Sequence, residues 1–85
     1  MMVKEEVWSV PIGRVRKFFL SLHDVSELEE DVFSFGSCRI SLSALPPSGG
    51  GMWAVSRTKL CLEGEAEDVT RIYHRFFLQF LSAGG

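Results

Sequence analysis

Over residues 65–82 the apolar positions fill one helical stripe and then overflow it. Val69, Ile72, Tyr73, Phe76 and Phe80 stand at i, i+3, i+4, i+7 and i+11, the spacing of a helix with one buried face. Phe77, Leu78 and Leu81 carry apolar surface well beyond that face. A chain of 85 residues has little sheet with which to cover a helix on two sides, so the surplus predicts a partner surface. A second helical stripe runs over residues 12–23. Ile12, Val15, Phe18, Phe19 and Leu22 share one side of it, and Arg14, Arg16 and Lys17 fill the other. Pro11 suits the start of this helix, where no backbone N–H is needed.

Elsewhere the pattern is strand-like. Val3, Val7, Trp8 and Val10 among Lys and Glu predict a strand over residues 3–10. Val32, Phe33 and Phe35 open another. The apolar parity changes at Gly36-Ser37, from Phe33 and Phe35 to Cys38, Ile40, Leu42 and Ala44. One extra residue at a glycine shifts parity as a bulge does, so residues 32–44 are expected to form one bent strand, with two short strands as the alternative. A last strand over residues 52–63 turns Met52, Ala54, Leu60 and Leu62 inward. Between them LPPSGGG, residues 45–51, predicts a mobile loop. The acidic stretch DVSELEED, residues 24–31, predicts a solvated connection or one extra helical turn.

The resulting order is β-α-β-β-α. It predicts one α+β domain over residues 1–85, an antiparallel sheet with a central hairpin and both helices on one face. Three strands make a thin sheet whose edges need protection, and extension of the sheet across a dimer would supply it. In the expected hairpin register Leu42 faces Ser56 and Ile40 faces Thr58. Arg39 then lies across from Lys59 and Ser41 across from Arg57. Cys38 points inward and Cys61 outward.

The chemistry-bearing residues add little to this picture. His23, Cys38, Cys61 and His74 have the inventory of a zinc site, but none of them forms the tight sequence pair that structural zinc uses. Their spacing predicts no metal, and the opposed faces of the two cysteines predict no disulfide. Cys61 shares a strand face with Arg57 and Lys59, which makes a Cys-dependent enzyme one alternative. No nucleophile, base and orienter stand together in a motif, so no catalytic residue and no cofactor are expected. Arg39, Arg57 and Lys59 with Trp53 would give a basic sheet face with an aromatic, the way open sheets hold single-stranded nucleic acid. The net charge of −2 argues against that partner. The closing Gly84-Gly85 resembles the diglycine of ubiquitin-like sulfur carriers, but here it directly follows a helix, where glycine is an ordinary cap.

No apolar run approaches the ~20 residues of a membrane span, and the first residues lack the pattern of a signal peptide. The expectation is a small cytoplasmic binding module without catalytic activity. It associates with itself as a homodimer, or with another protein, through Phe77, Leu78, Leu81 and Phe19.

Overall fold

The computed structural model describes residues 1–48 and 54–81. Within them the order is β1 (Met2–Trp8), α1 (Ile12–Ser21), β2 (Ser26–Glu29), β3 (Val32–Phe35), β4 (Cys38–Ser48), β5 (Val55–Gly64) and α2 (Ala66–Phe80). The strands pair antiparallel into one five-stranded sheet in the order β1-β5-β4-β3-β2. The class is α+β, with two more strands than the sequence pattern predicts.

Both extra strands come from turns. The parity change at Gly36-Ser37 is a two-residue hairpin, not a bulge: Phe35 lies opposite Cys38 and Phe33 opposite Ile40. Residues opposite one another share a face, so two intervening residues convert odd inward positions to even ones. Gly36 has φ 56°, which glycine adopts without strain at the first position of such a turn. The second addition is β2, in the stretch expected to be a loop or a helical turn. All four of its residues are exposed, so no inward alternation marks it in the sequence. A two-residue turn, Glu30-Asp31, links it to β3, with Asp31 at φ 62°.

The register of β4 on β5 also differs from expectation. Ile40 faces Leu62 and Leu42 faces Leu60, so apolar side chains pair with each other instead of with Ser56 and Thr58. The shift along β5 is even, so the faces are unchanged: Cys38 is buried and Cys61 half-buried on the opposite side. β4 continues through Pro46 and Pro47 to Ser48, so the strand enters the segment expected to be loop. It can do so because the β4–β5 register shifts between Leu45 and Ser48, and β3 pairs no further along β4 than Ser41. Prolines without N–H donors fit such a bulged and otherwise unpaired margin. The remainder of the expected loop, with Met52 and Trp53, lies outside the described residues, as does the Gly84-Gly85 terminus.

Phe33, Phe35, Cys38, Ile40, Leu42, Leu60 and Leu62 form one buried cluster with Val15 and Phe19 of α1 and with Val69, Ile72, Phe76 and Phe80 of α2. Phe19 stacks on Phe76 at 6.0 Å between ring centres, which joins the two helices over the sheet. Phe19 is fully buried in this core, so it cannot belong to an exposed interface as the sequence suggested.

The start of α2 is fixed by the β3–β4 turn. Ser37 donates from its backbone N–H (2.9 Å) and hydroxyl (2.7 Å) to Asp68 Oδ2, and its Oγ accepts the Glu65 N–H at 3.0 Å. Asp68 lies in the first turn of α2, where the helix dipole also favours its charge. A serine from another element thus completes the exchange that a capping box makes within one segment. Gly64 permits the approach: a Cβ there would lie 2.6 Å from the Ser37 carbonyl oxygen.

Candidate interaction surface

β1 is an edge strand of seven residues, paired along its whole length with β5. Its burial alternates, with Met2, Lys4, Glu6 and Trp8 half-buried and Val3, Glu5 and Val7 exposed. The valines therefore face solvent, and two charged residues share the helix-covered side with Trp8. α2 makes that arrangement possible. Tyr73 donates its hydroxyl hydrogen to Glu6 Oε1 at 2.6 Å, and Trp8 Nε1–H donates to the same oxygen at 3.1 Å. The Lys4 ammonium lies 4.4 Å from the centre of the Tyr73 ring and 3.5 Å from Glu6 Oε2. These contacts satisfy a carboxylate that would otherwise be costly at a half-buried position. The Tyr73 hydrogen bond leads the effects that hold the Glu6 pKa below the usual carboxylate value. Burial, then the hydrogen bond to Glu6, push the Tyr73 phenol up to about 12.

The aromatic flank of α2 continues this cluster outward. Phe77 is half-buried and meets Trp8 edge to face at 5.9 Å, while Phe76 meets the same indole at 5.1 Å. Phe77 thus packs on β1 and not on α1. Leu78 and Leu81 are exposed at 61% and 51%. In a helix with 3.6 residues per turn, Leu81 stands one turn beyond Phe77 on the β1 side, whereas Leu78 points about 100° further round, toward solvent. Of the residues predicted to form the interface, the structure packs Phe77 on Trp8 of β1, leaves Leu78 and Leu81 exposed and buries Phe19.

The clasp of Lys4, Glu6, Trp8 and Tyr73 was not picked out from the sequence. Its signal is present as phase: Lys4 and Glu6 alternate in step with Met2 and Trp8, not with the valines. Valine-rich strands invite the opposite assignment.

The basic sheet face is dispersed and largely compensated. Arg39 lies opposite Glu63, not Lys59, and its guanidinium is 3.4 Å from Glu29. Lys59 pairs with Glu5 at 3.0 Å, and Arg57 donates to the Pro46 carbonyl at 3.0 Å. Trp53 lies outside the described residues. Cys61 sits opposite Glu5 on one side and Ser41 on the other. Burial, followed by the Glu5 and Glu63 carboxylates, pushes its thiol pKa up, which favours the unreactive protonated form. His74 is carried by α2, across the sheet from Cys61, so the two do not form a nucleophile–base pair. Among the described residues no three His, Cys, Asp or Glu side chains gather as a metal site would require.

A shallow groove of about 450 Å³ lies between the helices, lined by Arg14, Lys17, Phe18, Leu22, Gln79 and Phe80 among others. It is open to solvent. Among the described residues no helix is long and apolar enough to cross a membrane. No family model matches the chain, and no curated protein and no solved structure matches it.

Proposed function

We propose that this chain is a small cytoplasmic interaction module that acts by self-association, as a homodimer without catalytic chemistry of its own, and that β1 with the Tyr73–Phe77–Leu81 flank of α2 forms its docking side. The observation that carries this reading is that β1, an edge strand among the described residues, ends in half-buried Trp8 packed on half-buried Phe77, with exposed Leu81 one helical turn beyond. A regular unpaired strand offers backbone donors and acceptors along its length, and adjacent aromatic surface supplies the desolvated centre that a stable interface needs. Two free cysteines, one of them buried, accord with a reducing compartment.

Solution mass by light scattering, with circular dichroism as a check on folding, tests the reading. The wild-type chain is expected to be a dimer, and Leu81→Asp, changed at an exposed position, a folded monomer. Phe77→Asp should dissociate the dimer as well, at some cost in stability because its ring packs on Trp8. A monomeric wild type at high micromolar concentration would overturn the proposal.

A further inference from the structure

We infer that β1 is a self-complementary strand, and that two copies of this chain join β1 to β1 about a twofold axis at Glu5 to form one continuous ten-stranded sheet. The inference rests on the self-association proposed above and specifies its partner and register.

The sequence of β1, MVKEEVW, is what distinguishes one register from another. A twofold axis perpendicular to the sheet makes the strands antiparallel and keeps the helices of both copies on one side. Residues opposite each other then have the same parity, because outward-facing groups on one edge must meet outward-facing groups on the other. With Glu5 at the axis, Lys4 of each copy faces Glu6 of the other. Val3 faces Val7, and Met2 faces Trp8. Every one of the seven residues is paired, and both Lys4–Glu6 pairs are opposite in sign. Moving the axis to Lys4 sets Lys4 on Lys4 and Val3 on Glu5. Moving it to Glu6 sets Glu6 on Glu6 and Lys4 on Trp8. Both alternatives pair like charges, bury valine or tryptophan against charge, and leave strand ends unmatched.

The one unfavourable pair in the favoured register, Glu5 on Glu5, is already compensated. Each Glu5 lies 3.0 Å from its own Lys59, so the two carboxylates at the axis are flanked by an ammonium on either side.

Helix spacing agrees with the same axis. Sheet strands lie about 4.8 Å apart, and α2 packs on both β5 and β1, so its axis would stand roughly 5 Å from the twofold. The two α2 helices would then be about 10 Å apart, within the spacing at which helices pack. Tyr73 bonds to Glu6, one strand residue (about 3.3 Å) past the axis, so the antiparallel helices would cross about two helical residues earlier, near Thr70 and Arg71, with Phe77, beside Trp8, toward the start of the other α2. Thr70 is small and exposed, which permits close approach of the helices at the crossing. Leu78 remains outside this contact.

Disulfide trapping tests the register. In a Cys61→Ser background, which removes the thiol opposite Glu5, Glu5→Cys is expected to oxidise to a covalent dimer, since directly opposed residues lie about 5 Å apart. Lys4→Cys and Glu6→Cys are each offset from their own copies by about 7–8 Å or more and should not cross-link. Val3→Cys and Val7→Cys should cross-link only when the two chains are mixed. Light scattering on the same proteins without oxidant keeps the two proposals apart. A dimer that cross-links best through Lys4→Cys or Glu6→Cys, or through none of these positions, would overturn the register and leave self-association standing. A monomer would overturn both. Thr70→Arg, at an exposed helix position, should give a folded monomer; a dimer that tolerates it would also count against this axis.

Discussion

The sheet ends in two edges that are built in opposite ways. β2 is short, fully exposed and irregular in register between Glu27 and Glu29, and it is followed by Glu30 and Asp31. Brevity, a bulge and charge are the devices by which an edge strand is kept from pairing with another chain. β1 is nearly twice as long, regular in register, and backed by Trp8, Tyr73 and Phe77. Its charges are Lys4, Glu5 and Glu6, placed so that a reversed copy centred on Glu5 sets Lys4 against Glu6. β2 thus carries a shortness and a bulge that β1 lacks, while both edges carry charge. In the proposed dimer, edge protection at β2 and partner choice at β1 use the same kind of residue, and what differs is the order along the strand.

The largest test of this contrast is energetic. Trp8→Ala removes two edge-to-face contacts and a hydrogen bond to Glu6, and should lower unfolding free energy by about 3 kcal/mol. Leu28→Ala, at the one large apolar residue of β2, should change it by no more than about 0.5 kcal/mol, because Leu28 is 55% exposed. Denaturant midpoints of the two variants give the comparison directly. Equal losses would mean that β2 contributes packing that its exposure does not reveal.

The second test uses the only tyrosine in the chain, so an alkaline absorbance titration reports Tyr73 alone. The phenol should ionise near pH 12 in the folded protein, against about 10 in the unfolded chain. A proton held more tightly in the folded state contributes stability in full below the unfolded pKa, and that stability is lost as the pH rises toward 12. Glu6→Gln removes the carboxylate and should bring the titration part of the way back toward 10, leaving the share due to burial. An unmoved titration would mean that burial alone sets the shift.

The parts of this architecture that the sequence pattern revealed are those in which burial dictates residue type. The α2 stripe Val69, Ile72, Phe76 and Phe80 is buried as its spacing predicts, and so are Val15 and Phe19 of α1. The inward parity also agreed at Cys38, Ile40, Leu42, Leu60 and Leu62, because an even register shift preserves faces, whereas Ala44 and Ala54, also expected inward, are exposed. The pattern could not reveal β2, whose residues bury nothing and whose strand state depends only on backbone pairing with β3. Gly36 carried the signal of a chain reversal, yet a parity change alone does not distinguish a bulge from a two-residue hairpin. For the candidate surface, Phe77 and Leu81 stood out as surplus apolar residues. Their partners Trp8 and Tyr73 did not, because the inward phase of β1 is fixed by a polar clasp and not by its valines.

The third test concerns the link that ties the β3–β4 turn, on the β2 side of the sheet, to the helix that covers β1. Ser37→Ala removes the hydroxyl that bridges Asp68 and the Glu65 N–H, and should cost about 1 kcal/mol, the usual value of a lost helix cap. The Ser37 backbone N–H, and after it the hydroxyl, hold the Asp68 pKa below the ordinary carboxylate value. A carboxyl depressed in the folded state contributes stability above its unfolded pKa of about 4, which is lost as the pH falls through the lower folded value. Wild type and Asp68→Asn should therefore differ in denaturant midpoint at neutral pH and converge below about pH 4. A constant difference across that range would assign the effect to packing and not to charge.

The smallest expected effect separates the edges by charge alone. Glu5 and Glu29 are comparable exposed carboxylates, each paired with one cation on the outer sheet face. Removing either charge should alter folding stability by about 0.5 kcal/mol or less, as for exposed ion pairs generally. Their effects on association should differ. If Glu5 meets its own copy at the twofold axis, Glu5→Gln removes a like-charge contact and should tighten the dimer about two- to fivefold at low salt, the range that a cross-strand like-charge pair is worth. The gain should shrink as salt is added, since these groups are solvent-exposed. Glu29→Gln, at the β2 edge, should leave the dimer constant unchanged at every salt concentration. Dilution series by sedimentation at two ionic strengths measure both. A Glu5→Gln dimer that weakens would mean that the Lys59 pair, and not relief at the axis, is the dominant interaction of that carboxylate.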